Sequence, residues 1–459
     1  MYEIDFRNQL HLHFIGIGGI SMSGLAEILL GEGFEISGSD AHESALTERL
    51  RSKGARILIG QSADNIRPGI DCVVYSAAIH PDNPEFAAAK NAGLPMLTRA
   101  ELLGQIMRNY EMPIAVAGTH GKTTTTSMCS HILMQAGLDP TITVGGILPS
   151  IDGNIRVGRS GTFITEACEY TNSFLSFFPK MELILNVDAD HLDFFKDIDD
   201  IASSFHRFAA LLDKDGTLII NRDTRKYDVV TKGLCCEILT YSLEQDADYT
   251  AADLRFNEHG CAIFNCVERG TSLREFRLFV PGIHNVSNAL AAIAMARKLG
   301  LDADTIAEGL ESFTGTDRRF QQKGTFKGAE IIDDYAHHPT EIRATLTAAA
   351  NYPHKTLYVA FQPHTYTRTK ALLPEFADAL SLADHVILAD IYAAREKNTI
   401  GISSKDLMTE IAKKGTKVDY FPSFEEIENF LRSQLEEGDL LITMGAGNIV
   451  DVGEDLLRG

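Results

Sequence analysis

Basic residues are in short supply in this chain. Across 459 residues, 42 Lys and Arg stand against 63 Asp and Glu, a formal charge of −21. That deficit argues against nonspecific binding to nucleic acid or to an anionic membrane surface, so an anionic substrate must be met by local glycine loops and a few placed cations. Cysteine is sparse too. The seven, at 72, 129, 168, 235, 236, 261 and 266, show neither paired zinc-site spacing nor the density of a disulfide scaffold, which fits a reducing cytosol. No apolar run approaches the ~18 residues needed to cross a bilayer. The N-terminal Met1-Tyr2-Glu3-Ile4-Asp5-Phe6-Arg7 lacks a charged-then-apolar signal. Together these absences predict a soluble cytoplasmic protein with no nucleic-acid or membrane partner. There is no solenoid-period repeat and no low-complexity tract.

What is present is alternation. Short Val- and Ile-rich runs alternate with longer helical patterns, the signature of α/β units around mostly parallel sheets. At about 150 residues per domain the length predicts three domains, read here as 1–108, 109–315 and 316–459. The first has strands at Leu10 to Ile15, Phe34 to Ser37 and Cys72 to Tyr75, and helices at Ser23 to Glu32 and Ala100 to Met107. The second has a helix over Lys122 to Gln135, strands at Thr162 to Thr165 and Leu183 to Val187, and short β segments through 240–280. The third has strands at Glu330 to Asp333, Leu357 to Phe361, Val386 to Ala389 and Leu440 to Met444.

The densest chemical signal is Gly118-Thr119-His120-Gly121-Lys122-Thr123-Thr124, directly after the apolar run Pro113 to Ala117. Strand, glycine loop and helix start are the parts of a triphosphate site. Glycines turn backbone N–H groups toward phosphate, Lys122 adds charge at the outer phosphates, and Thr123 offers a hydroxyl to magnesium. Only two residues separate Gly118 from Gly121, against the usual four. Acids at neighbouring strand ends face the same crevice in a parallel sheet, which makes Glu166 and His191, in Glu166-Ala167-Cys168-Glu169 and Asp190-His191-Leu192-Asp193, metal candidates. Either is otherwise a solvated loop group. His284 and Asn285 begin a helix, where capping competes with purine contact. Gly16-Ile17-Gly18-Gly19-Ile20-Ser21-Met22-Ser23-Gly24, with Asp40 on the next strand end, matches a dinucleotide fingerprint loosely, since Ser21 occupies the third glycine position. A diphosphate at that helix start and a ligand-free turn are both open. Asp333 to Pro339 and Phe361 to Thr369 are polar loops at two strand ends, and adjacent histidines such as His337 and His338 rarely aim at one ion. Arg318-Arg319 is an anion site or an exposed basic pair, and Met444 to Asn448 is a further glycine turn.

Taken together, Gly16 to Gly24, Gly118 to Thr126, Asp190 to Asp193, His284-Asn285 with Asn288, Asp333 to His338 and Phe361 to His364 resemble the Mur ligases across essentially the whole chain. The resemblance is nearest to the members that join L-alanine to UDP-N-acetylmuramate. It implies an N-terminal Rossmann-like domain for the UDP-sugar, a central P-loop ATPase α/β domain, a C-terminal Rossmann-like domain, and ATP with Mg2+. By position, Gly118 to Thr124 with Lys122 would hold the ATP phosphates, and Thr123, Glu166 and His191 the magnesium. His284, Asn285 and Asn288 would lie by adenosine, while Arg319 and Asp334 reach ATP from the third domain. Gly18, Gly19, Asp40, Thr98 and Arg99 would border the UDP-sugar, and His337, His338 and Arg368 the amino-acid and phosphate side. The resemblance implies catalysis by Lys122, Glu166 and His191 with no covalent enzyme nucleophile, in a monomer or homodimer. Cys168, Thr365 and Asn448 depart from the family's pattern. The rival readings are a tripeptide-recycling ligase of the same sugar, a folylpolyglutamate synthetase, a catalytically silent binding protein, and a nicotinamide-dependent oxidoreductase.

Overall fold

A computed structural model describes residues 2–192, 194–394 and 396–458. Asp193, at the end of the Asp190 loop, lies outside the described residues. Three sheets follow one another along the chain. The first has five parallel strands in the order Arg56–Ile59, Glu35–Asp40, His11–Ile15, Cys72–Tyr75 and Met96–Thr98. The order reverses beside His11–Ile15, so the crevice opens at the Gly16 turn, the position where such sheets take ligands. The third sheet has six strands, with Ala329–Asp334, Leu440–Met444, Leu357–Phe361, His385–Leu388 and Lys417–Tyr420 parallel and Gln321–Phe326 antiparallel at one edge.

The central sheet is a ten-stranded composite. Met112–Ala117, which feeds the phosphate loop, lies between Thr162–Ala167 and Met181–Ile184 in parallel register. Apart from the half-buried Met112, their apolar side chains are buried, as expected for strands covered on both faces. The β segments expected through 240–280 form a meander, Tyr249–Phe256, Cys261–Glu268 and Thr271–Pro281, that extends this sheet. The helix Lys122–Gln135 has the predicted limits. Two limits move. The first helix runs Ile20–Gly31 because Gly19 ends the turn without a capping side chain, leaving no residue signal for the start. Leu185 to Val187 leave the ladder after Ile184 and bend toward the phosphate loop, although they remain apolar enough to read as strand.

The first and central sheets share one hydrophobic core, in which Leu12, Phe14, Ala115 and Phe163 belong to a single cluster. A row of rings, Phe34, Phe6, Tyr110 and Phe163, crosses between them with centroids 4.9–6.0 Å apart, the first two contacts edge-on and the last tilted. Gly24 belongs to this seam. A Cβ there would sit 1.5 Å from Ile155 Cδ1, so the last glycine of the Gly16–Gly24 run receives a side chain of the central hairpin and leaves no room for a sugar contact. Gly24→Val should therefore destabilise the protein by about 1–3 kcal/mol through overpacking, and adding Ile155→Ala should recover most of that loss. Denaturant melts of both variants test it, and equal stabilities for the single and double variants would count against the fit.

Glu182 is a different case. It lies on the strand Met181–Ile184, fully buried, and neither carboxylate oxygen has a hydrogen-bond partner among the described residues. Burial raises its pKa well above the ordinary carboxylate value. A raised acid contributes stability only below the unfolded value and loses it as pH rises. Glu182→Leu should thus stabilise the protein at neutral pH by about 1–3 kcal/mol, with the gain shrinking as pH falls from the raised value toward the ordinary carboxylate range and levelling off below it. A variant less stable than wild type at pH 7 would contradict this.

Candidate active site

The phosphate loop is shaped by two left-handed glycines. Gly118 has φ +149 and Gly121 φ +84; Cβ atoms there would approach Leu185 Cβ to 2.9 Å and Asn288 Oδ1 to 2.8 Å. Asn186 clamps the loop. Its Oδ1 accepts the His120 N–H at 2.8 Å and its Nδ2 donates to the His120 carbonyl at 3.0 Å. Thr119 Oγ1 accepts the Asp188 N–H at 2.9 Å. The strand end that carries Asn186 and Asp188 therefore holds the loop open for a ligand.

Lys122 folds back. Its ammonium donates to the Gly118 carbonyl, to the Thr119 carbonyl at 3.1 Å, and to Glu169 Oε2 at 3.0 Å. Burial works against its charge, but the Glu169 carboxylate outweighs burial and holds the ammonium above its usual range. His191 Nε2 stands 3.9 Å from the other oxygen of Glu169 and 3.9 Å from Asp190 Oδ2, its ring tilted against Tyr170 at 4.6 Å. His191 itself has φ +53, a conformation that non-glycine residues adopt at a cost and that concentrates at functional sites. Glu169, 2% exposed, thus pairs with Lys122 and stands between it and His191. Glu166, the acid singled out from sequence, points elsewhere: its Oε1 accepts the Gly145 N–H at 2.5 Å.

A cavity of ≈ 610 Å³ opens beside the loop, within the range of small-molecule sites. It gathers His120, Gly121, Thr124, His284, Asn285, Asn288, Arg319 and Asp334. The helix Ile283–Lys298 is capped by Gly282, with φ +96 and no side-chain cap. Asn285 donates instead to the Pro281 carbonyl at 2.8 Å and accepts from Asn288 at 3.0 Å, so both amides are oriented at the cavity wall. Burial, aided by Arg319, lowers His284 to about 4, so it is a neutral imidazole at pH 7. Burial raises Asp334 to about 6; its oxygens accept the Phe320 and Ala336 N–H groups at 2.8 and 2.7 Å. The basic pair divides. Arg318 is structural, bound to Asp333 and to the Gly445 and Gly447 carbonyls, which also accounts for the Met444–Asn448 turn. Arg319 faces the cavity. The far wall, Asn221, Asp223, Thr224 and Arg225, carried no recognisable motif.

The third sheet closes on this site through its loops. Thr340 Oγ1 donates to Asp188 Oδ2 at 2.7 Å, His338 Nε2 lies 3.1 Å from the Ala189 carbonyl, and Arg368 donates to Asp190 at 2.9 Å and lies 3.1 Å from His364 Nδ1. His337 packs between Tyr335 and His364, 3.3 Å from Glu341. Glu341 also lies 3.3 Å from His120 Nδ1. Burial opposes the charge on His120, but Asp188 and Glu341 overcome it and lift the imidazole to about 9. Its folded pKa exceeds the unfolded 6.5, so this stabilisation is complete below about pH 6.5 and lost as pH rises through 9. His120→Gln should flatten the Tm decline between those limits, worth on the order of 2–3 kcal/mol. An unchanged slope would remove His120 from the seam's electrostatics.

In the first sheet, the Gly18 N–H donates to Asp40 Oδ2 at 2.8 Å, which closes the turn on that acid. Gly19 is the cap of the helix Ile20–Gly31. Thr98 is occupied as the cap of the helix Arg99–Met107, in a reciprocal box with Glu101. Arg99 reaches across to Ser21 Oγ at 3.2 Å, and burial lowers its pKa, so this cation stands desolvated at the crevice.

Comparison with known proteins places these parts. Three models match in order: "Mur ligase family, catalytic domain" over residues 11–111, "Mur ligase middle domain" over 116–296 and "Mur ligase, glutamate ligase domain" over 318–447. The UDP-N-acetylmuramate–L-alanine ligase of Agathobacter rectalis is 62% identical over 458 residues, and that of Lachnospira eligens 60% over 459, each covering 100% of both chains. The crystal structure of UDP-N-acetylmuramate-alanine ligase from Thermotoga maritima superposes with a TM-score of 0.80 at 30% identity, covering 98% of this chain and 99% of that one. The expected three-part α/β architecture holds, and the chain belongs to the Mur ligase family.

Proposed function

We propose that the chain is an ATP-dependent ligase that joins L-alanine to the carboxylate of UDP-N-acetylmuramate in peptidoglycan precursor synthesis, working in the cytoplasm as a monomer or homodimer. The carrying observation is the 62% identity, over the whole of both chains, to a relative named for that activity. The site chemistry supports it. Arg99 and the Gly16–Gly19 turn are assigned to the UDP-sugar, and the 610 Å³ cavity to adenosine. Lys122, released from Glu169, is assigned to the outer phosphates.

Magnesium suits the donor set, because Thr123 and Glu166 offer hard oxygens. The neighbouring strand carries Gly145 and Gly146, where Cβ atoms would come within 2.8 Å of Glu166 Oε2 and 3.2 Å of Thr123 Cγ2. Bound there, the ion supplies charge neutralisation at the phosphates. His191 is assigned to the same phosphate side. In the reaction, a carboxylate oxygen of the sugar bonds to the γ-phosphorus and ADP leaves. The amine nitrogen of alanine then attacks the acyl carbon, phosphate departs with that oxygen, and the amine gives up a proton. The contacts of Thr340, His338 and Arg368 across the seam exclude bulk water from the acyl phosphate.

Phosphate release from ATP with UDP-N-acetylmuramate, using alanine, glycine, serine and a tripeptide as separate acceptors, tests the reading. Release greatest with alanine is expected. Release with the tripeptide alone would reassign the chain to tripeptide recycling.

A further inference from the structure

We propose that His120, Asp188 and His338 form a binding site for a divalent transition ion, separate from the oxygen donors Thr123 and Glu166, that clamps the third sheet unit onto the phosphate loop. One donor atom from each of the three residues lies within 4.8 Å of the other two. They come from three places: the phosphate loop, the turn after Met181–Ile184, and the cap of the helix Pro339–Ala349. His338 thus pairs with a histidine distant in sequence and not with its neighbour His337. The two imidazoles face each other at a centroid distance of 4.8 Å and an angle of 36°.

His120 Nε2 is buried without a hydrogen-bond partner among the described residues and lies 3.7 Å from Asp188 Oδ2, while Nδ1 is oriented by Glu341 at 3.3 Å. One ring nitrogen held by a carboxylate and the other aimed at a donor cluster is how metal-binding imidazoles are set, and an ion bound at Nε2 releases the proton carried there to solvent. Asp188 is positioned as well: Oδ2 accepts from Thr340 Oγ1 at 2.7 Å, Oδ1 accepts the Ala189 N–H at 2.9 Å, and Arg225 lies 3.6 Å away. His338 touches the Ala189 carbonyl at 3.1 Å and the Thr340 N–H at 3.3 Å, and an ion takes the place of one of these contacts. Metal–donor bonds of about 2.0–2.2 Å put tetrahedral donors roughly 3.4 Å apart, so the set contracts by at most about 1.5 Å. Two imidazoles and one carboxylate suit Zn2+ or Co2+, whereas Mg2+ prefers oxygen alone.

The test is titration of the full-length, chelator-treated protein with Co2+ and then Zn2+. One Co2+ per chain with the visible absorption of an imidazole-ligated ion is expected, bleached by Zn2+ and unaffected by excess Mg2+. Zn2+ should also raise Tm. His338→Gln and Asp188→Asn, on separate elements and each verified as folded without metal, should lose the band and at least about tenfold in Zn2+ affinity. Cys235→Ser, at an exposed thiol, should change neither. Absence of stoichiometric Co2+ binding, displacement by Mg2+, or the band persisting in either folded variant would overturn the site. None of these readouts depends on ligase activity.

Discussion

Lys122→Ala abolishes ATP-dependent phosphate release, with kcat/KM falling by about 10³-fold or more, while the fold survives. The loss is electrostatic: a preorganised cation aimed at developing phosphate charge in a site shielded from water is worth several kcal/mol in the transition state. The fold survives because the strand Met112–Ala117, the left-handed glycines and the Asn186 clamp shape the loop independently of the Lys122 side chain. The variant does leave the buried Glu169 without its cation, so a Tm loss of the same order as that argued below for Glu169→Ala accompanies the kinetic one. Near-wild-type turnover by a folded Lys122→Ala protein would remove the loop from catalysis.

Glu169→Ala has the second largest effect, and it acts on stability and rate together. Glu169 is 2% exposed and lies 3.0 Å from Lys122, whose side chain is also mostly buried. Deleting one partner of a buried pair strands the other, which typically costs 3–5 kcal/mol. A loss of about 2–4 kcal/mol is expected here, because the Gly118 and Thr119 carbonyls still receive the ammonium. The rate should fall by about 10²-fold, since Lys122 and His191 lose the group that spaces them. Thermal melts and steady-state kinetics on the same preparation separate the two losses. A Glu169→Ala protein as stable as wild type would show that Lys122 does not depend on this pair.

The phosphate loop was legible because its residues carry the signal locally: an apolar strand, glycines at fixed offsets, a lysine and a helix start. His284, Asn285 and Asn288 were legible for the same reason, one helix turn presenting them to one cavity. The pairing of Glu169 with Lys122 was not. Glu166 and Glu169 both end the same strand, and which one faces the lysine depends on the backbone after it, where Thr171 and Asn172 take left-handed conformations that no motif announces. The packing role of Gly24 was hidden for a different reason. It sits in a glycine run that looks like a ligand turn, yet its neighbour Ile155 comes from a hairpin far along the chain. Glu341, Thr340 and the pairing of His120 with His338 arise only when the third sheet closes on the central one. Local patterns report elements and loops, whereas a seam between distant segments exists only in the folded chain.

The central claim is that ATP activates the sugar carboxylate as an acyl phosphate before the amide forms. It is tested most directly by supplying UDP-N-acetylmuramate labelled with 18O in its carboxylate and weighing the inorganic phosphate released during alanine addition. The account predicts one labelled oxygen in each phosphate and UDP-N-acetylmuramoyl-L-alanine as the other product. Unlabelled phosphate, or release of AMP and pyrophosphate, would contradict it.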